Sequence, residues 1–472
     1  VYRDDRNTYL IGNDPFGYFA QAGQGDVPVY PTLEDESVES GELYAFFCRA
    51  ALELIRRFHK DGWQPDFVHC HDWPTGLVPA YLKLDLPDAF HLVGTRVAFT
   101  VHNMSDIVYQ GGWFGPELLG YAGLPRRLFD DGQVRHQGRV NFIKAGIVFS
   151  DRVNTVSEGY ARELYSGTAE SFVTLDGTRK QFKCSGGLDR VWSEHDVNLI
   201  GIRNGIDDSY DPARIGEGED WQFVDEDWCS SYTPAGGRTI ASWAYNLGDP
   251  DRQRKKQDIK RYLQERCNRL LKTNFEVSAD IPVIAVRSRL TEQKGFDLIV
   301  EGLRKWRHQW PVQFTIVAWG EERYAREFRE LAAAHPQWIA FTDSWKVAPE
   351  PLHYTGADML LMPSLFEPCG LPHMMALRYG TIPIVRQTGG LADVVQGFDP
   401  SSETGNGFVF NAPTFREMLQ TIEGALQIYH QQPGQWQALL ATAMRATDRN
   451  GHDFSWTTAA DRYLTELYQV DD

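Results

Sequence analysis

Two short segments of this sequence bring together residue types suited to holding a diphosphate. The first is Val286-Arg287-Ser288-Arg289-Leu290-Thr291-Glu292-Gln293-Lys294-Gly295, in which Arg289 and Lys294 are expected to leave a strand end together, close to a helix start. Two cations and the free N–H groups of a helix N-terminus form an anion site. One unit-charge pair at ~4 Å and an effective dielectric near 20 contributes about 4 kcal/mol, enough to outweigh the far field of an acidic chain. An Arg-x4-Lys pair alone also describes an ordinary charged surface, so it needs company.

The second segment is Met362-Pro363-Ser364-Leu365-Phe366-Glu367-Pro368-Cys369-Gly370-Leu371. A carboxylate at a strand end can hold sugar hydroxyls, and the Gly370 and Leu371 amides can face a phosphate. Read more plainly, Glu367 is an acid favoured by a helix dipole and Cys369 a small buried residue. A third segment, Thr388-Gly389-Gly390-Leu391-Ala392-Asp393, puts a glycine pair before a helix, where backbone can approach a phosphate closely. Earlier in the chain, Val68-His69-Cys70-His71-Asp72-Trp73 and Phe99-Thr100-Val101-His102-Asn103 each end an apolar run, and Asn204-Gly205-Ile206-Asp207 reads as a turn. His69 and His71 could suggest a metal, but no third ligand stands at metal spacing, and no metal is expected.

These residues need elements to hold them. Short apolar runs recur at Phe67-Val68, Val97 to Val101, Ile281 to Val286, Phe314 to Ala318, Met359 to Met362 and Ile382 to Val385. Such runs suit strands buried on both faces of a parallel sheet. Helical periods lie between them, as in Gln257 to Leu271, with Ile259, Leu263, Cys267 and Leu270 on one face. Alternating strands and helices imply βαβ units, and parallel sheets bind ligands at the carboxyl ends of their strands. With 472 residues, two domains are the natural division. The expected boundaries are a first domain at 1–209, a junction with an aperiodic insertion from Gly216 to Asp251 at 210–280, a second domain at 281–453, and a C-terminal helix at 454–472 packing back on the first. That tail should put Ala459, Tyr463 and Leu467 on one face. A formal net charge of −17 argues against nucleic acid or anionic lipid as a partner. The six cysteines are scattered without a CxxC pair, which fits a reduced compartment. No apolar run is long enough to span a bilayer.

Taken together and in order, "HDW", "TVHN", "FIKAGIVFSDRVNTVS", "NGID", "SRLTEQKG", "FEPCGL" and "RYGTIPIVRQTGGLADVV" resemble the bacterial glycogen synthases and plant starch synthases. The resemblance implies the GT-B fold, an α/β architecture of two Rossmann-like parallel-sheet domains facing across a cleft. It implies transfer of glucose from ADP-glucose to the non-reducing end of an α-1,4-glucan with retention. Its catalytic set would be His102, Glu367, Arg289 and Lys294. Arg289 and Lys294 would hold the donor diphosphate, Glu367 the glucose hydroxyls, and His102 would line the glucose pocket. Gly370 and Leu371 would supply amides to the phosphate. Asp72 and Asn204 would line the cleft towards glucose and acceptor, with Asn103, Cys369, Thr388, Gly389 and Gly390 completing the substrate-binding set. No cofactor is implied. A bacterial cytoplasm or a plastid stroma is the expected location.

The family's opening strand and Lys-x-Gly-Gly-Leu loop have no counterpart in the sequence, whose first strand is expected at Thr8 to Ile11, so the natural chain is expected to be longer. His373, after Pro372, stands where relatives usually carry Gln, and Ala318-Trp319-Gly320 replaces a Gly-x-Gly turn. These departures keep two other readings open: another retaining GT-B glycosyltransferase using UDP-glucose, and a weakly active or non-catalytic glucan-binding relative. A phosphorylase is disfavoured because no pyridoxal-phosphate lysine motif stands out.

Overall fold

The computed structural model describes residues 2–3, 9–10, 38–84, 92, 94–105, 107–112, 114–224, 240–445 and 454–470. Cys229 and the middle of the expected insertion lie outside these residues. The chain forms two compact units, one of Val1–Glu170, Phe182–Ile202 and Arg462–Asp472, the other of Ser171–Gln181 and Arg203–Asp461. Asn204 therefore falls in the second unit.

The first unit is built on four parallel strands: β1 (Phe67–His71), β2 (Arg96–Val101), β3 (Arg152–Thr155) and β4 (Leu199–Gly201), in the spatial order β4-β3-β2-β1. Val97, Ala98, Phe99 and Val101 have no exposed surface, which is what strands covered on both faces require. The helix α1 (Val38–Lys60) precedes β1, and α2 (Phe142–Phe149) and α3 (Glu158–Ser166) flank β3. Both later helices start on side-chain caps: Asn141 accepts from the Lys144 amide and Ser157 from the Tyr160 amide. Near the chain start, Tyr9–Leu10 pairs antiparallel with Tyr2–Arg3; the rest of the strand expected at Thr8 to Ile11 lies outside the described residues.

In the second unit, six parallel strands take the order β7-β6-β5-β8-β9-β10. They are β5 (Val283–Leu290), β6 (Gln313–Gly320), β7 (Ile339–Thr342), β8 (Met359–Met362), β9 (Ile382–Arg386) and β10 (Phe408–Phe410). Counted within the unit this is the 3-2-1-4-5-6 order of a doubly wound sheet, and it reverses direction between β5 and β8. The helices α4 (Arg252–Leu271), α5 (Phe296–Lys305), α6 (Glu322–Ala334), α7 (Glu350–Gly356), α8 (Leu371–Arg378), α9 (Gly389–Val394), α10 (Phe415–Gln431) and α11 (Pro433–Arg445) complete it.

Several expected boundaries move. β5 runs to Leu290 because it pairs with β6 over its whole length, Val283 opposite Gln313 through Leu290 opposite Gly320. Arg289 therefore lies within the strand, opposite Trp319, rather than after its end. α4 begins at Arg252, five residues before the apolar period shows itself, because its first turns are polar. Ile259, Leu263 and Cys267 are buried as expected, but Leu270 is 45% exposed in the last turn. The expected insertion holds 3-10 turns at Glu219–Phe223 and Ile240–Trp243 on either side of its undescribed middle. Trp243 and Tyr245 are buried there, and the Tyr245 hydroxyl donates to the Tyr379 carbonyl. The tail is α-helical only over α12 (Trp456–Arg462), then widens into a π turn at Tyr463–Tyr468. The wider turn keeps Leu467 fully buried while leaving Tyr463 half-exposed.

Candidate functional site

In the second unit the sequence-predicted cations and carboxylate flank the place where the strand order reverses. β5 carries Arg289 near its carboxyl end, and the 3-10 turn Glu292–Lys294 follows it. β8 leads into the loop that carries Glu367. The two loops are sewn together: the Leu365 amide donates to the Gln293 carbonyl at 2.8 Å, and the Gln293 side chain donates to the Phe366 carbonyl at 3.2 Å. Gly295 makes this approach possible. It sits at φ +71°, and a Cβ there would lie 2.2 Å from the Pro363 carbonyl oxygen.

The result is a buried ion pair. Lys294 Nζ donates to both carboxylate oxygens of Glu367, at 2.9 and 2.7 Å, and the Ser364 hydroxyl donates to Oε2 at 2.9 Å. Glu367 is 5% exposed. The fully buried Arg386 holds the loop from behind, donating to the Ser364 carbonyl at 2.9 Å and also to the Leu365 carbonyl. Arg289 is exposed and has no ion-pair partner among the described residues. Its neighbour across the strands, Trp319, is 43% exposed, so a free cation and an indole stand side by side at the carboxyl edge.

Beyond Glu367 the backbone turns through Gly370, at φ +81°, into α8, whose N-terminal amides include that of Leu371. Pro372 removes one N–H from that first turn. The Gly389-Gly390 pair opens α9 after Thr388, and the Gly390 amide donates to the Glu367 carbonyl at 2.9 Å. A Cβ on Gly390 would meet the Cys369 carbonyl oxygen at 2.2 Å, so the second glycine serves loop packing directly. Burial pushes the Cys369 thiol up to about 12, so it is a neutral packing group. His373, in the first turn of α8, is fully buried; burial lowers its pKa to about 3, with the Gly370 backbone pulling more weakly the other way. Asn204 lies near this loop, its backbone facing the Cys369 sulfur.

In the first unit, the other predicted residues gather at the carboxyl ends of β1 and β2. Asp72 adopts φ +56°, an uncommon conformation for a residue with a side chain. Its Oδ1 accepts from the His102 amide at 2.7 Å, and the Asn103 amide also faces its carboxylate. Asp72 thus fixes the backbone turn after β2. Desolvation raises its pKa to about 7, even though the backbone donors pull it down. Asn103 closes a local turn, its Oδ1 accepting from the Ser105 amide at 3.1 Å. His71 Nδ1 and His102 Nε2 are 3.0 Å apart, so one ring donates and the other accepts. Burial, with His71 adding a smaller push, lowers His102 to about 4. His69 stacks on His71 with ring centroids 4.2 Å apart. The nitrogens of His69 contact Tyr468 and Thr100, so the two histidines do not converge on one point as metal ligands would. Among the described residues, no group of three or more His, Cys, Asp and Glu side chains could hold a metal ion.

The sequence did not single out Ser364, Gln293 or Arg386. Ser364 stands three residues before Glu367, a spacing that could have marked it. Arg386 closes the strand Ile382–Arg386 and gave no sign that it would turn inward.

Residues 1–180 match the family model for the starch synthase catalytic domain, and residues 281–427 match that for glycosyl transferases group 1. The glycogen synthase of Pseudothermotoga lettingae is 35% identical over 464 residues, spanning 98% of this chain and 80% of that protein. The chain belongs to the glycogen and starch synthase family of glycosyltransferases. Glycogen synthase of Thermotoga maritima is 34% identical over 465 residues, spanning 98% of this chain and 81% of the relative. Among solved structures, the catalytic domain of starch synthase IV from Arabidopsis thaliana, bound to ADP and acarbose, matches with a TM-score of 0.69 and 29% identity, covering 92% of this chain and 77% of that one. The two parallel-sheet units of this family member are thus those of the GT-B class. Among the described residues no helix is long and apolar enough to cross a membrane.

Proposed function

We propose that this protein is a glycogen or starch synthase that transfers glucose from ADP-glucose to the non-reducing end of an α-1,4-glucan with retention of configuration. The observation that carries the reading is the joined pair of loops at the β5/β8 reversal, where Lys294 and Glu367 meet beside α8 and Arg289 stands unpaired. Arg289 and Lys294 take the two phosphates of the donor, with the α8 amides of Gly370 and Leu371 adding to the positive edge. As the glycosidic bond to the phosphate breaks, negative charge grows on the leaving diphosphate. Fixed cations in a partly desolvated site stabilise that charge more than they stabilise the bound donor. Glu367 holds glucose hydroxyls. Asp72, His102 and Asn103 offer polar groups to a sugar at the carboxyl edge of the first unit's sheet. A cation pair of this kind can replace a metal, and the reaction is proposed to need no cofactor. Retention without an obvious protein nucleophile favours transfer on the donor's own face, with the leaving phosphate accepting the acceptor's proton.

The ADP preference rests on the bacterial and plant relatives. The test is radiolabelled glucose incorporation into glycogen from ADP-glucose and UDP-glucose side by side, with the anomeric configuration of early products read by NMR. Clear preference for UDP-glucose would overturn the donor assignment. Glucan co-sedimentation without incorporation from either donor would overturn the enzymatic reading.

A further inference from the structure

A chain of hydrogen bonds runs under the sugar-facing edge of the first unit and ends on the last turn of the protein. The Thr100 hydroxyl donates to Asn154 Oδ1 at 2.6 Å, while Asn154 Nδ2 faces the Tyr463 hydroxyl at 3.3 Å. With its proton directed to Asn154, the Thr100 oxygen must accept from its other neighbour, His69 Nε2, at 2.7 Å. His69 therefore carries its proton on Nε2. Nδ1 is left bare, and the Tyr468 hydroxyl donates to it at 2.6 Å. These contacts select the Nε2–H tautomer of His69. Burial, with smaller pushes from His71 and His102, lowers His69 to about 3, so the ring stays neutral and this order persists at neutral pH.

The C-terminal segment is anchored where it must be to supply that hydroxyl. Leu467 is fully buried with Ala98 of β2 and Ile202, and Phe67, Ile200, Tyr463 and Tyr468 pack around them. Arg462 donates to the Gly201 carbonyl at 2.9 Å and pairs with Glu158. The π turn at Tyr463–Tyr468 brings both tyrosines to the β1–β3 edge; such turns are often found at functional sites. His69 in turn stacks on His71 at 4.2 Å, and His71 meets His102 at 3.0 Å. His69 is part-buried and His71 exposed, so the order runs from the interior outward.

We propose that Tyr468 is a positioning residue for the sugar site: by donating to the bare Nδ1 it holds the plane of His69, whose tautomer Thr100 and Asn154 set, and through the stacked His71 it sets the His71–His102 pair, making the C-terminal turn part of the first unit's sugar-facing wall. The proposal rests on the function proposed above for its kinetic consequence, but not for its structural content.

The test has two arms. Long-range 15N–1H correlation spectra of the full chain at pH 7 report the His69 tautomer without any substrate; a protonated Nε2 is expected, and an Nδ1–H form would overturn the proposal. Tyr468→Phe removes one oxygen atom and keeps the ring that packs on Phe67. It should leave the proton on Nε2, shift the resonance of the His69 Nδ1 that loses its donor, and lower kcat by roughly ten-fold, while the donor KM, set in the second unit, stays within about two-fold. Tyr463→Phe, at the far end of the chain, should leave His69 as the Nε2–H form and serve as the packing control. Equal losses of kcat in both variants, or a Tyr468→Phe enzyme with unchanged kcat and an unchanged Nδ1 resonance, would refute positioning by the hydroxyl. If the wild-type chain transfers no glucose from either donor, the functional reading falls while the spectra still decide the relay.

Discussion

Removing the ammonium of Lys294 tests the second unit's site most sharply, because one atom serves two purposes. Lys294 is the only cation bonded to Glu367 among the described residues, and the Glu367 side chain is 6% exposed. In Lys294→Met the carboxylate keeps the Ser364 hydroxyl at 2.9 Å and loses both charge-assisted bonds. Breaking a buried pair on one side typically costs about 3–5 kcal/mol, since the surviving charge stays buried. Lys294→Met should therefore lose about 3 kcal/mol of stability. Glu367→Gln, which leaves the milder orphan of a partly exposed ammonium, should lose less. The double variant should recover most of the loss, giving a coupling of about 2 kcal/mol in a double-mutant cycle. Catalysis should behave differently. Lys294→Met also withdraws a cation from the leaving diphosphate, a loss on the scale of an oxyanion-hole donor, roughly 100- to 1000-fold in kcat/KM. The double variant should regain stability and regain no activity. Urea unfolding followed by fluorescence, with initial rates of glucose incorporation on the same preparations, reads both. A Lys294→Met protein of wild-type stability and near-wild-type kcat/KM would refute both the buried-pair argument and the diphosphate role.

Two further outcomes follow from groups held in unfavourable states. Asp72 is raised from 3.8 to about 7, so the folded chain retains a proton that the unfolded chain has released. Its contribution is complete below the unfolded value and is lost as pH rises through about 7. Asp72→Asn should then stabilise the protein by about 1–3 kcal/mol at pH 8 and hardly at all near pH 4, by melting curves at the two pH values; equal shifts at both would contradict the assignment. His373 is lowered from 6.5 to about 3, so its contribution is present above the unfolded value and is lost as pH falls through that interval. His373→Gln should reduce the loss of stability between pH 6.5 and 4.5 by about 2–3 kcal/mol, and an unchanged pH slope would show that the ring is not held neutral by burial.

The alternation of short apolar runs with helical periods was enough to anticipate two parallel-sheet units, because strands covered on both faces leave continuous apolar runs. Met359–Met362 is the clearest case, since its ends coincide with the run itself. The extra turns of α4 were not legible, because polar residues at a helix start carry no apolar period. Residue types marked Arg289, Lys294 and Glu367 as a candidate set, but not that Lys294 would lie on Glu367. That contact depends on Gly295 and Pro363 touching, a pairing between loops almost seventy residues apart. Tyr468 was invisible for the same reason: its partner His69 lies at the other end of the chain, and only the closing turn brings them together.

Each sheet carries unfavourable groups at its carboxyl edge, and they can be recognised without reference to any relative. At the amino edge of the second unit's sheet Lys256 is bonded only to neutral oxygens and burial lowers it to about 7, while a second lysine is paired. Lys260 donates to both oxygens of Asp358, at 3.1 and 3.0 Å, and to the Tyr429 hydroxyl at 2.8 Å, while Asp358 also accepts from the Val283 amide at 2.8 Å. At the carboxyl edge the same unit leaves Arg289 without an ion-pair partner among the described residues and buries His373 as a neutral ring. The first unit puts Asp72 there at φ +56° with a carboxyl raised to about 7. Uncommon backbone, desolvated acids and unpaired cations gather where a ligand supplies the missing partners. The carboxyl ends of parallel strands, and the β5/β8 reversal above all, are where a doubly wound sheet receives one.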